Sequence, residues 1–409
     1  MIQGAAQKQT VVLVKGMSQY GALTLHIDQL EDVFLGMGYR VLVLDFGGDE
    51  WRPVLAEAAK DDVLMIFSIS IFTEIRFDGL TLAEILDAPH VCLQVDHPGW
   101  HLPRLQKSPR QSTIFLTLDH AHTRFINRCF VKDPFPVVEF LPPAANVLPE
   151  NAPVDVASFA EDRDIPILFT GTYRGKIKPE WNRLEGDAGQ MFKDIYNAAL
   201  EVAVSDDLVS ADDALYFVMR EGGIDSSFPL FSDLITKSFW LSSYLHGMRR
   251  DLVLQALNEA GLPVHIYGHG FDKLAGQFKS FTYGGVGSFS ETLGLIRRSQ
   301  FVLNSNTNFV EGMHERVFAA MAGGAAVVSD LSKAYLDEFQ DGVDMVLYSW
   351  DDLPGLGDRL RAYLDRPHEL AQIAAAGQTK VLARHMWQNR AQRMIQLAQD
   401  YQHPYSAAA

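Results

Sequence analysis

The sequence predicts an α/β protein of two Rossmann-like domains, with parallel sheets facing across a cleft and a helical insertion in the second domain. Three observations predict it. The chain has 409 residues, beyond the roughly 250–300 at which one hydrophobic core stops growing. Short apolar runs alternate with stretches of helical spacing, the pattern of parallel strands buried on both faces and joined by crossovers. The series also breaks at a proline-rich stretch and then begins again.

The first series opens with VVLV at 11–14, followed by a glycine-containing loop at 16–21 and a helical pattern over 23–35. VLVL at 41–44, VLMIF at 63–67, VCLQV at 91–95, IFLT at 114–117 and VVEF at 137–140 continue it. These make six strands and an N-terminal domain over residues 1–150. Pro142, Pro143, Pro149 and Pro153 then disrupt regular structure and read as a linker.

A second domain is expected over 160–385, with strands at 165–170, 264–267, 301–303, 325–329 and 345–347. Between the first two of these lies a long segment, about 176–260, where a simple crossover needs far fewer residues. Helical spacing runs through it, with acids at Asp206, Asp207, Asp212 and Asp213. It is read either as helices that pad the domain or as an insert that recognises a second substrate. Helical stretches follow at 358–364 and 368–384, and a last one occupies 386–409.

Composition narrows the chemistry. Lys plus Arg number 35 against 51 Asp plus Glu, a net charge of −16 that repels phosphate backbones and anionic lipid surfaces. Nucleic acid is therefore not an expected partner. The two cysteines, Cys92 and Cys129, have no metal-like spacing, and no disulfide framework or zinc site is expected. Residues 1–10 carry no charged-then-apolar leader pattern and no apolar run is long enough to span a bilayer, so the expectation is a cytoplasmic protein without a transmembrane segment.

Open parallel sheets bind ligands beyond the carboxyl ends of their strands. The loop TGTYRGK at 170–176 has small residues that let backbone N–H groups approach an anion, with Arg174 and Lys176 beside Gly171 and Tyr173. A plain turn with solvated cations fits the same residues. Tyr267 ends the next strand of that domain.

The segment 304–330 is more telling. A strand ends in Asn304, Ser305 and Asn306, a helix is expected to start near Gly312 and stop at Gly323-Gly324, and another strand follows at once. Such a unit aims a helix N-terminus, with partial positive charge, past the strand ends. His314 and Arg316 are expected in its first turn. His314 shares helical spacing with Val317, Phe318 and Met321 and fits a packing role equally well. Arg316 beside a helix N-terminus calls for a compensating anion, supplied by a ligand or by Glu311 or Glu315.

Here the chain resembles the two-domain glycosyltransferases of the GT-B fold, and among them the CgeB-like, spore-associated group. The similar part runs over about 282–391 and includes Gly312, RVFAAMAGGAAVVSD at 316–330, FQDG at 339–342, AAAGQ at 374–378 and VLARHMW at 381–387. The resemblance implies a nucleotide-diphosphate sugar as donor substrate, bound by the second domain, with no metal ion and no further cofactor. It also implies that the last helix crosses back to the first domain. Many relatives carry two glutamates separated by seven residues; Glu311 matches the first and Ala319 stands at the second, so the ribose contact falls to another group, for which Glu315 is the candidate.

In such folds the first domain supplies the acceptor side and often a base. The loop QVDHPGWH at 94–101 offers Asp96 and His97 after an apolar strand, although Asp-His-Pro also caps strands without chemistry. His26, His120 and His122 compete for that role. The implied activity is sugar transfer to a hydroxyl acceptor on a glycan, protein or small molecule, with homo-oligomerisation left open. A nucleotide-sugar epimerase or phosphorylase of the same fold, and a non-catalytic nucleotide-binding or assembly protein, are the alternatives.

Overall fold

The computed structural model describes residues 9–401 apart from 17, 19, 71, 174, 176, 275 and 307. In chain order the first half holds β1 (Thr10–Lys15), α1 (Ala22–Gly36), β2 (Arg40–Asp45), α2 (Trp51–Ala58), β3 (Val63–Ile69), β4 (Arg76–Phe77), β5 (Leu80–Thr81), α3 (Leu82–Leu86), β6 (His90–Gln94), α4 (Leu102–Leu105), β7 (Thr113–Thr117), α5 (His120–Cys129) and β8 (Val137–Phe140). The second half holds β9 (Ile165–Thr170), α6 (Gly186–Ser205), α7 (Ala211–Glu221), α8 (Phe231–Thr236), α9 (Phe239–Glu259), β10 (Val264–Tyr267), β11 (Phe281–Tyr283), α10 (Phe289–Arg297) and β12 (Ser299–Leu303). It continues with α11 (Glu315–Ala322), β13 (Ala326–Asp330), α12 (Lys333–Glu338), β14 (Val346–Tyr348), α13 (Leu353–Leu364), α14 (Pro367–Arg384) and α15 (Trp387–Asp400).

The chain divides into two compact units. One runs to Leu118, resumes over His122–Leu141 and takes in the chain from Met386 onward; the other comprises Asp119–Ala121 and Pro142–His385. Each carries a parallel six-stranded sheet, ordered β2-β1-β3-β6-β7-β8 in the first and β11-β10-β9-β12-β13-β14 in the second. β4 and β5 form a separate antiparallel pair.

In the first unit the apolar runs form the six strands, with β1, β3, β6 and β7 central and β2 and β8 at the edges. Val11, Val12, Met65, Ile66, Val91, Phe115 and Leu116 are all buried, as sheets covered on both faces require. α15 packs on α1, with Trp387 edge-on to the His26 ring at 5.3 Å. Arg393 grips Glu139 of β8 through two hydrogen bonds, at 2.7 and 2.6 Å. This planar two-point pairing fixes the helix orientation better than a single contact could.

In the second unit Ile167, Phe169, Phe301, Leu303, Ala326 and Val328 join Val253, Leu257 and Leu360 in one core. β11 has no counterpart among the expected strands. It is three residues long at the sheet edge and partly exposed, so no buried apolar run announces it. The segment expected to be helical resolves into α6, α7, α8 and α9, of which α9 is the crossover into β10. Its acids have structural partners: Asp213 accepts from Ser210 at the α7 cap, Asp212 from Ser238, and Asp207 from the Trp350 N–H outside the insertion. No helix among the described residues is long and apolar enough to cross a membrane.

Candidate functional site

The second sheet changes direction at its centre. From β9 the chain passes outward to β10 and β11, then returns to β12 on the other side. Such a switch point is where open parallel sheets take ligands, beyond the carboxyl ends. Thr170 ends β9 and Asn304 follows β12. Arg316 spans both: its Nε donates to Thr170 Oγ1 at 3.0 Å and its Nη1 to Asn304 Oδ1 at 2.9 Å. Neither acceptor is charged; burial pulls the guanidinium's pKa below the ordinary value, and the Glu315 carboxylate acts against that shift.

The helix expected to begin near Gly312 begins at Glu315, three residues later. Residues 312–314 are held outside it: the Gly312 carbonyl accepts from Ser332 Oγ at 2.6 Å, and the His314 N–H donates to Tyr335 Oη at 3.0 Å. His314 is therefore the N-cap and not a first-turn residue. Its Nδ1 accepts from the Arg316 N–H at 3.1 Å, the bond a capping side chain makes to the second helical residue. Arg316 does lie in the first turn.

Burial lowers the His314 pKa to about 3, and the charges of Arg316 and Arg250 push in the same direction. The imidazole is thus neutral near pH 7. With Nδ1 accepting, the proton resides on Nε2, a donor at the positive end of α11.

Asn304, Ser305 and Asn306 form a buried polar strap. Asn304 Nδ2 donates to Ser329 Oγ at 3.0 Å, Asn306 Nδ2 to the Phe309 carbonyl at 2.6 Å, and Tyr335 Oη to Asn306 Oδ1 at 3.0 Å. The Asn306 N–H meets Asp330, whose burial raises its pKa to about 6. Ser305 Oγ is buried with no hydrogen-bond partner among the described residues.

Across the switch point, the loop after β9 is tied to the loop after β10. Gly171 N donates to the Tyr267 carbonyl at 2.9 Å and Tyr173 N to the His269 carbonyl at 2.8 Å. The approach is close enough to demand glycine: a Cβ on Gly268 (φ +136°) would lie 1.7 Å from the Gly171 oxygen, and one on Gly270 (φ +86°) 2.0 Å from the Tyr173 oxygen. Tyr173 Oη donates to Asp251 at 2.8 Å, and burial with that carboxylate raises the phenol to about 12. The Tyr267 ring packs beneath Gly284. Arg174 and Lys176 lie outside the described residues.

Glu311 is buried and paired with Lys333. Its N–H donates to Asp119 Oδ2 at 2.8 Å within the same unit. Glu315 opens α11, half-buried, and Ala319 packs in the core one turn later. An Asp-x-Asp spacing occurs at Asp162 and Asp164, but at the amino end of β9, away from Thr170. There Asp164 accepts from Arg298 at 2.8 Å and Asp162 from Ser158. Among the described residues no group of three His, Cys, Asp or Glu side chains could hold a metal ion.

Of the five candidate bases, His120 is exposed at the start of α5 and His122 is buried, and the other three differ in access. The Asp96 side chain is 64% exposed, with His101 Nε2 3.4 Å away. His97 is buried: its Nδ1 accepts from Gly99 N at 3.0 Å and its ring stands edge-on to His122 at 4.7 Å. His26 is buried against Trp387, a packing position. Only Asp96 of the three presents its acid group to solvent.

A family profile described as "Glycosyl transferase-like" matches residues 249–396. No curated protein matches the chain in sequence. Among solved structures, sucrose-phosphate synthase from Thermosynechococcus elongatus superposes with a TM-score of 0.52 at 11% identity, covering 96% of this chain and 99% of that one. HepE from Anabaena in complex with UDP-glucose gives 0.51 at 11% identity, over 94% and 99% of the two chains. An alpha-glucosyltransferase in complex with UDP-glucose and DNA containing an abasic site gives 0.51 at 11% identity, over 96% and 100%. The fold of this chain is that of the GT-B glycosyltransferases, two Rossmann-like domains with a helical insertion.

Proposed function

We propose that this chain transfers a sugar from a nucleotide-diphosphate donor to a hydroxyl acceptor without a divalent ion, as a member of the CgeB-like group. One observation carries the reading: the guanidinium of Arg316, which has no carboxylate hydrogen-bond partner among the described residues, bridges the two strand ends at the switch point of the second sheet, beside the neutral His314 and the start of α11. A diphosphate that carries two negative charges in the donor and gains a third as the bond to the sugar breaks is stabilised by such a preset array of donors and positive charge. Arg316, the His314 Nε2–H and the first N–H groups of α11 take the diphosphate, with Arg174 and Lys176 adding charge. The strap Asn304, Ser305 and Asn306 orders the sugar side, where Ser305 Oγ has a hydrogen bond to give, and Gly171, Tyr173 and Tyr267 shape the loop opposite. Asp96 is the base assigned to the acceptor hydroxyl, on its exposure.

The family match over 249–396 supports this reading, since it spans Asn304 to Arg316. So do two of the similar solved structures, which are complexes with UDP-glucose. Titration calorimetry against UDP, GDP, ADP and TDP in the presence of EDTA tests the binding step. Binding of one at micromolar to millimolar affinity is expected, and heat from none of them ends the proposal. Release of nucleotide from the matching sugar donor, faster with acceptor than without, separates transfer from epimerisation and from simple binding.

A further inference from the structure

The helical insertion sends a side chain to the same strand ends. Arg250 lies on α9, buried, 66 residues before Arg316 in sequence. Its Nη1 donates to the Thr172 carbonyl at 2.6 Å and sits 3.6 Å from the point a Cβ on Gly171 would occupy. Its guanidinium carbon is 5.6 Å from the Phe169 ring centroid. Arg316 donates to the Thr170 hydroxyl, two residues before Thr172. Two guanidinium groups thus hold the tripeptide Thr170-Gly171-Thr172, one at each end. The charges of both are felt at the His314 ring, where the Glu315 carboxylate opposes them.

Like charges brought together under partial burial repel and lose hydration, a cost that an anion between them removes. The length of the side chain matters less than its origin: α9 is the crossover that closes the insertion, so an anion bound there would be held partly by the insert. We propose that Arg250 is an anion-binding residue of the diphosphate site, through which the inserted helices contribute to donor binding. This rests on the functional reading above and assigns the insertion a part in it.

Inorganic pyrophosphate is the probe, because it carries the charge shared by every nucleoside diphosphate and no base or sugar. Calorimetry at low salt compares the unaltered protein with R250Q and R250K. Glutamine keeps a donor for the Thr172 carbonyl but no charge; lysine keeps the charge. The expected result is affinity about tenfold or more weaker in R250Q, the loss typical of a charged hydrogen bond, with R250K recovering most of it. A structural role alone predicts the reverse ranking, since the lysine lacks the planar fork that spans Thr172 and Phe169. Equal affinity of R250Q and unaltered protein overturns this inference and leaves the functional reading standing. Failure of the unaltered protein to bind pyrophosphate or any nucleoside diphosphate overturns both. Should R250Q not fold, a pyrophosphate-soaked crystal of the unaltered protein decides: phosphate oxygens within hydrogen-bond distance of Arg250 sustain the assignment, and an anion elsewhere overturns it.

Discussion

His314 accepts the N–H of Arg316 through Nδ1 at 3.1 Å, and this one bond couples a helix cap to a tautomer. Because Nδ1 is an acceptor and the ring is neutral, Nε2 carries the proton. Arg316 in turn spends Nε and Nη1 on Thr170 and Asn304. A cap, a proton position and a charge are thus set by two residues of one helix start.

His314→Phe keeps a ring of similar size and removes both nitrogens. Loss of the cap is expected to destabilise the protein by about 1 kcal/mol, and loss of the Nε2 donor to weaken UDP or pyrophosphate binding by roughly tenfold. Since the folded His314 has a pKa of about 3, its contribution to affinity should be flat between pH 5 and 8. An affinity that follows a single proton near pH 6.5 in the unaltered protein and not in H314F would contradict the neutral-donor assignment.

Arg316→Lys preserves charge but offers one ammonium in place of a planar fork. It cannot hold Thr170 and Asn304 with the same geometry. Pyrophosphate affinity is expected to fall about tenfold in R316K and further in R316M, where charge is lost as well. Equal binding by all three proteins, measured by calorimetry, would remove Arg316 from the site.

Asp330 makes the opposite prediction from His90 and His314. Its folded pKa is raised to about 6 by burial, against hydrogen bonds from Asn306 and Ser329 and the Arg249 charge, with Tyr348 also facing it. The folded state holds this proton where the unfolded chain has lost it. Its contribution is therefore complete below about pH 4 and disappears as pH rises through 6. His90 and His314, both lowered to about 3 by burial, act the other way: the unfolded chain takes their protons first, so stability falls as pH drops from 6.5 toward 3. Asp330→Asn removes only the first effect. Denaturant curves should show D330N gaining on the unaltered protein between pH 4 and 7, by on the order of 2–3 kcal/mol. A difference that does not change with pH would mean that Asp330 is not held protonated.

The parts of this structure that follow from local pattern were legible in the sequence. All six strands of the first sheet are apolar runs, the four central ones because both faces are covered, and the Gly323-Gly324 stop of α11 is read from its residues. β11 escaped because an exposed three-residue edge strand has nothing to bury. In the site, Asn304, His314 and Arg316 stood out as polar groups at a strand end and a helix start. Arg250, Tyr335 and Asp330 did not, since each reaches the site by tertiary packing from a distant element. The start of α11 was misplaced by three residues because His314 caps as Ser or Asp would, while Gly312 looked like the natural break.

Gly268→Ala tests the pairing of the loops after β9 and β10. At φ +136° an alanine is strained, and its Cβ would overlap the Gly171 carbonyl oxygen, which belongs to backbone and cannot rotate away. A loss of on the order of 1–3 kcal/mol is expected from the strain alone, read as a lowered Tm. Displacement of Gly171 should also weaken pyrophosphate binding. A variant with an unchanged Tm would show that the two loops need not lie this close.

Glu315→Ala separates the two halves of a bound nucleotide. Ala319 stands where a ribose-binding carboxylate is expected and is packed in the core, so no carboxylate reaches the ribose from that turn. Glu315 sits one turn earlier, half-buried, at the first position of α11. If it receives the ribose hydroxyls, E315A should bind UDP roughly tenfold more weakly, the size of a hydrogen bond to a charged group. Pyrophosphate, which has no ribose, should bind E315A at least as well as the unaltered protein, because a negative charge near the anion has been removed. Equal losses for both ligands would mean that Glu315 serves the helix start and not the ribose, and an unchanged UDP affinity would assign the ribose to a different loop.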